Sequence, residues 1–220
     1  MRMLALLAVL MTVVFAPLST VSAAEGDYLL RVGASNVDPD DPNGSILGLD
    51  IVVDDAWGMT FNGEWMWKKN WGVEVLAAYP YEHDIKVDGL GRVGSVKHLP
   101  PTLSLNYHFL PDTTFDVYVG AGLNFTLFFD EDEEGALAAD SNSNRLEIDD
   151  NSWGLAAQIG ADWYINDKWF VNFNFRYIDI DTEAKITLGA DSSIVPGGGR
   201  VNPDVDIDPF IYGVHVGYKF

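Results

Sequence analysis

Eight stretches of this chain alternate apolar and polar residues with a period of two, and this pattern limits the fold more than any other feature. They cover about 28–35, 57–67, 71–79, 102–109, 115–127, 153–164, 169–178 and 210–220. In the last, "FIYGVHVGYKF", Phe210, Tyr212, Val214, Val216, Tyr218 and Phe220 share one face. Each stretch has about the 9–11 residues that a tilted strand needs to cross a bilayer, and helical periodicity fits none of them. Short connections (68–70, 110–114, 166–168) alternate with long ones (36–55, 82–99, 130–151, 184–207). An even strand number with tight turns at one end and long connections at the other predicts an outer-membrane barrel.

Two closed sheets fit eight such strands: a soluble barrel with its apolar face inside, or a membrane barrel with that face on lipid. The residues decide between them. The apolar faces carry no charge, and aromatics sit near both ends, as with Trp57 and Trp67, Trp71 and Tyr79, Trp153 and Trp163, and Trp169 and Tyr177. Interfacial girdles explain that placement. The opposite faces carry Arg31, Glu64, Glu74, Asp116, Asp162, Arg176 and Lys219 among many glycines. Glycine is a poor residue for a solvated strand surface but makes room inside a narrow barrel. Water is missing from the hydrocarbon, so every backbone N–H and C=O must pair within the sheet, and the last strand is expected to close on the first.

The chain starts "MRMLALLAVLMTVVFAPLSTVSA": one Arg, an apolar run too short to span, Pro17, then Val21 and Ala23 at cleavage-site spacing. This predicts a leader over 1–23 and an outer-membrane barrel over 24–220. No later run reaches the length of a membrane helix. There is no cysteine, so disulfides are excluded. The formal charge is −20, and no basic patch suggests nucleic acid.

Five stretches carry a family resemblance: "HLPPTLSLNYHF", "YVGAGLNFT", "DNSWGLAAQIGADWYIND", "RYIDIDTEAKITLG" and "DIDPFIYGVHVGYKF", with a weaker match in "GVEVLAAYPYEHDI". Through them the chain resembles the OmpW family of outer-membrane proteins, the OmpW/AlkL-like barrels. The resemblance implies an eight-stranded barrel in the outer membrane of a Gram-negative cell. It also implies passage of small hydrophobic molecules through a narrow, partly apolar lumen. Leu76 matches the family's apolar constriction on the third strand. The corresponding position on the seventh strand, Arg176, is charged here and departs from the pattern. The final Phe resembles the terminal signal read by the barrel-assembly machinery.

Parity places Leu29, Met66, Leu76, Phe170, Arg176 and Ile178 in the lumen as candidates for a constriction reached from the loop side. Arg31 and Arg176 are expected to pair with Glu64, Glu74 or Asp162 in a network that seals the periplasmic half, since charges do not sit alone in a narrow lumen. An apolar permeant would then leave sideways. Pro80, Pro100 and Pro101 flank the long connection between the third and fourth strands and lack ladder donors, which predicts a notch in the wall there. The alternative is a structural or surface-interaction barrel with a packed lumen and function in the loops. The acidic run "DEDEE" (130–134) reads first as a solvated loop. Its carboxylates could also hold divalent cations against lipopolysaccharide phosphates, although the spacing is not that of an EF-hand. Ser104 and His108 share an inward face without a third member, so no catalytic site is assigned. The four histidines show no metal-ligand spacing, and no cofactor is implied.

Overall fold

The computed structural model describes residues 23–139, 144–189 and 197–220. Of the expected leader, all but Ala23 lies outside these residues. In chain order the elements are β1 (Tyr28–Asp38), β2 (Gly44–Ile46), β3 (Leu49–Val53), β4 (Ala56–Lys68), β5 (Trp71–Ala78), β6 (Tyr81–Val87), β7 (Gly91–Leu99) and β8 (Thr102–His108). There follow β9 (Phe115–Glu133), α1 (Gly135–Ala139), β10 (Arg145–Ile148), β11 (Asn151–Tyr164), β12 (Trp169–Ile178), β13 (Asp181–Leu188), β14 (Gly199–Val201), β15 (Asp204–Asp206) and β16 (Phe210–Lys219).

Strands β1, β4, β5, β8, β9, β11, β12 and β16 form a closed antiparallel wall. The seam joins β1 to β16 from Leu29 opposite Lys219 to Asp38 opposite Phe210. Its last bond runs from the Phe220 N–H to the Tyr28 carbonyl at 2.9 Å. Closure pairs the polar backbone of every wall strand on both sides, as a hydrocarbon surround requires. The alternation then sorts the side chains. Trp57, Val75, Leu103, Leu123, Ile159, Phe173 and Val216 point outward and are exposed, while Arg31, Glu74 and Asp162 point inward and are fully buried. A continuous exposed apolar belt is a surface for lipid. Aromatic clusters mark its two rims. One holds Trp71–Tyr107 (5.0 Å between ring centroids) and Trp169–Tyr218 (4.8 Å) beside the tight turns. The other holds Phe125–Trp153 (4.5 Å) and Phe175–Phe210 (5.4 Å).

The long connections depart from the reading of them as loops. The first and second fold into the β2–β3 and β6–β7 hairpins, with β6 paired to β3 and β7 to the upper end of β9. The third and fourth contribute β10, β13, β14 and β15. "DEDEE" is mostly strand: β9 runs on to Glu133, and Lys97 and Arg92 neutralise Asp130 (3.3 Å) and Glu134 (2.8 Å). Alternation explains this too. In β6, Tyr81, His83, Ile85 and Val87 face in while Glu82 and Lys86 face out. The inward residues join Ile51, Val53, Val96, Phe128, Leu146, Ile148, Ile186 and Val205 in an apolar core above the membrane belt. Acidic composition described only the outer faces.

Candidate functional site

The lumen is layered. At the turn end, Leu29, Met66, Tyr164, Phe170 and Ala23 form a small apolar cluster. Phe170 lies flat on Gly217 of β16, where any Cβ would collide with the ring. Three of the residues expected to line a constriction therefore fill the periplasmic end below the charges, away from any path that starts at the loops.

Above this cluster lies the charge network. Arg31 grips Asp162 with two bonds (Nη2–Oδ2 2.7 Å, Nε–Oδ1 3.2 Å) and meets Glu64 (2.7 Å) and Glu74 (3.3 Å) through Nη1. Arg176 meets Glu74 at 2.6 Å and donates to the Gln158 Oε1 at 2.6 Å. Gln158 donates on to Asn106 (2.6 Å), and Asn106 to Glu64 (2.8 Å). His108 places Nε2 on Glu64 (2.9 Å) and Nδ1 on Asp116 (2.6 Å). Asn172 donates to Asp162 (2.7 Å) and faces His215 Nδ1 (3.0 Å), whose Nε2 meets Thr60 (2.8 Å). All eight wall strands contribute to one connected, buried array. A guanidinium suits this position because its planar fork matches carboxylates while its faces stack, here beside Tyr118 (5.3 Å) and Phe170 (5.5 Å). Both ring nitrogens of His108 are taken by carboxylates, so Ser104 is not its partner.

Over the network the lumen opens into a cavity of ≈ 10 Å³, about one water, bordered by Leu76, Tyr81, Pro100, Asn174 and Arg176. Tyr81 enters the lumen over Gly58, where a Cβ would come within 2.5 Å of the ring. Farther out, between the loop strands, lies an apolar cavity of ≈ 30 Å³ lined by Ile51, Ile85, Val96, Phe128, Ile186 and Val205. Stacked rings separate the two: Tyr81–His98 at 5.4 Å and His83–His98 at 4.8 Å. Burial pushes both imidazoles to lower pKa. For His83 the Asp54 carbonyl and the carboxylates of Asp54, Asp55 and Asp84 oppose that shift in part, while for His98 the neighbouring His83 adds to it. Ile178 belongs to this outer apolar core.

The wall beside these cavities is interrupted. The β5–β8 ladder ends at Leu76 opposite Thr102, and the β6–β7 ladder begins at Tyr81 opposite His98. Pro80, Pro100 and Pro101 occupy the interval. On the far side the prolyl segment is fixed: the Pro101 carbonyl accepts from the Phe125 N–H (3.0 Å) and the Asn124 amide (3.2 Å). On the near side the Tyr79 N–H turns to the Met59 carbonyl (2.8 Å).

Parity placed Asn106, His108, Gln158, Asn172 and His215 inside, but sequence reasoning gave them no part in the network. Tyr81, His83, Thr182 and His98 were missed because they lie beyond the eight stretches, although the same period runs through β6. Among the described residues one trio of carboxylates converges, Asp179, Asp181 and Asp208, with ligand atoms within 4.8 Å of one another; it is not the "DEDEE" run.

A model of the OmpW family matches residues 24–220. Outer membrane protein W of Vibrio cholerae is 38% identical over 204 residues, covering 89% of each chain. The crystal structure of the outer membrane protein OprG from Pseudomonas aeruginosa superposes with a TM-score of 0.80 at 36% identity, covering 92% of this chain and 99% of that one. Outer membrane protein AlkL of Ectopseudomonas oleovorans is 27% identical, covering 93% of this chain and 86% of the relative. The wall, its lipid belt and these likenesses agree: the chain is an integral outer-membrane β-barrel and belongs to the OmpW family.

Proposed function

We propose that the protein is a passive conduit for small hydrophobic molecules, which enter between the loop strands, stop above the charge network and leave sideways into the bilayer. One observation carries the reading. Two small cavities lie on either side of Tyr81 and the stacked histidines, and the inner one, at Leu76 and Pro100, sits beside a gap in strand pairing just above a lumen that is otherwise filled. Straight passage would require breaking an array of buried ion pairs, and each broken pair strands a charge at a cost of about 3–5 kcal/mol. Sideways passage requires only that an interval without ladder bonds widen. The acidic outer surface disfavours anionic permeants.

The test is flux of a small alkane into vesicles with lipopolysaccharide in the outer leaflet. The expected result is protein-dependent flux that Leu76→Trp largely abolishes while the barrel stays folded. Equal flux with and without protein would overturn the reading. It would favour a barrel that acts through its outer surface, a role that the same filled lumen suits by stiffening the wall.

A further inference from the structure

We propose that the stacked His83 and His98 act as a proton-operated latch. Neutral, they hold the β6–β7 hairpin shut over the inner cavity; protonated, they release it. The inference goes beyond the conduit reading and holds equally for a barrel that carries nothing across.

The geometry is a column of rings. Tyr81 is seated in the lumen against Gly58. His98 stacks on Tyr81 at 5.4 Å between centroids, and His83 stacks on His98 at 4.8 Å. Phe128 of β9 flanks His98 at 6.0 Å. The column thus joins β6, β7 and the upper end of β9. Both histidines are 2% exposed. Phenylalanine would fill such a column and leave no polar atom unmet. Here the Nε2 of each imidazole lacks a hydrogen-bond partner, a cost to the folded loops that packing does not explain.

An added proton finds no counter-charge. His83 Nδ1 lies 2.6 Å from the Asp54 carbonyl, which only accepts, so this nitrogen already carries a proton and a second would go to Nε2. The carboxylates near the rings are engaged elsewhere. Asp54 pairs with Lys86, Asp84 pairs with Arg92 (3.0 Å), and Asp55 accepts from Asn36 (2.7 Å). From β12, Arg176 adds positive charge beside Tyr81. Phe128 from β9, Thr182 from β13 and Val205 from β15 do not titrate. Two imidazolium rings 4.8 Å apart would therefore repel each other inside an apolar core, where unpaired charge is costly.

Burial already holds both pKa values below the ordinary 6.5, and His83 depresses His98 further. Protons thus bind the released hairpin better than the shut one. The shut state is fully favoured above about pH 6.5 and loses ground as pH falls from there. Two histidines that regain a pKa of about 6.5 on release raise the open population about 100-fold between pH 7.5 and 5.5, and one raises it about 10-fold.

The chain has no cysteine, so one can be placed at Leu76, buried by the inner cavity, and in a separate variant at Leu47, 61% exposed between β2 and β3. Both full-length chains, in phosphatidylcholine nanodiscs, are reacted with a cationic methanethiosulfonate. The ratio of the Leu76→Cys rate to the Leu47→Cys rate cancels the change in thiolate fraction. That ratio is expected to rise about 100-fold from pH 7.5 to 5.5. Adding His83→Phe should cut the rise to about 10-fold, and adding His98→Phe as well should leave the ratio flat. A flat ratio in the presence of both histidines overturns the latch. So does a rise that persists in the double variant, which would assign the opening to other groups. If the double variant does not fold, nitrogen NMR of the native chain decides. The imidazoles of His83 and His98 must gain their protons together with the rise in labelling, and either event without the other overturns the latch. No permeant is used, so failure here leaves the conduit reading untouched.

Discussion

At the scale of single residues, two arrangements govern the molecule. Arg31 faces three carboxylates, all of them fully buried with it. Its removal leaves Glu64, Glu74 and Asp162 facing one another, and breaking such a pair costs about 3–5 kcal/mol. Arg31→Met should therefore lower the urea midpoint of the barrel in lipid vesicles. Adding Glu64→Gln and Asp162→Asn to that variant should restore most of the loss, and no recovery would argue against the network as its origin. The second arrangement is the histidine stack. Burial holds the pKa values of His83 and His98 below the ordinary 6.5. The folded loops thus bind protons less readily than the opened ones. Stability of the loop strands is full above about pH 6.5 and declines as pH falls from there toward the folded pKa values. Hydrogen exchange, corrected for its intrinsic pH dependence, should quicken in β6 and β7 at pH 5.5 relative to 7.5 while the wall strands hold steady. Equal protection at both pH values would count against this account.

At the scale of elements, the interval between the β5–β8 and β6–β7 ladders is the feature to test. Proline cannot donate to a ladder, and Pro80, Pro100 and Pro101 lie in the interval between the two edges. With all three replaced by Ala, N–H groups return and the edges can zip. Alkane uptake into vesicles should then fall while heat-modifiable migration of the folded barrel is retained, and unchanged uptake would remove the lateral route. The loop strands cover an apolar core to which the upper ends of the wall strands also contribute, through Val37, Phe128, Ile178 and Ile211. Ile186→Asp places a charge in that core. It should expose the loop strands to protease at low dose while the wall remains protected by lipid, and a fully protected variant would refute the division.

At the scale of the whole molecule, the barrel is filled below and covered by loop strands above. Its turn-side half is filled by Phe170, Met66 and Leu29, then by polar contacts that reach every wall strand. Its loop-side half is enclosed by β7, β6, β3 and β2, which extend the wall sheet from β9 without closing, and by the separate sheet of β10, β13, β14 and β15. The seam depends on the last strand: β16 pairs with both β1 and β12. A chain ending before residue 210 would expose two open edges to hydrocarbon, where unpaired backbone groups are not tolerated. Such a chain is expected to be absent from the folded, protease-resistant membrane fraction.

The wall was legible in the sequence because the β period is two and one face meets lipid. Each segment therefore declares its own inward and outward residues without knowledge of its neighbours. Trp57, Arg31, Asp162 and Val216 all lie where parity alone put them. The charge partners were also foreseeable as a set, since few inward charges exist and none can stand alone in a narrow lumen. Depth and neighbourhood were decided only by the tertiary structure. Phe170 and Leu76 share an inward face in the sequence reading, yet strand stagger sends one to the periplasmic cluster and the other above the charges. The long connections looked like acidic loops because their outer faces carry the charge. Their inner faces became a core only once strands from four separate parts of the chain met over the barrel mouth. The pairing of His83 with His98 belongs to the same class. It arises from the register of one hairpin, in which Tyr81 stands opposite His98 and His83 opposite Val96, and a register is a property of two strands together.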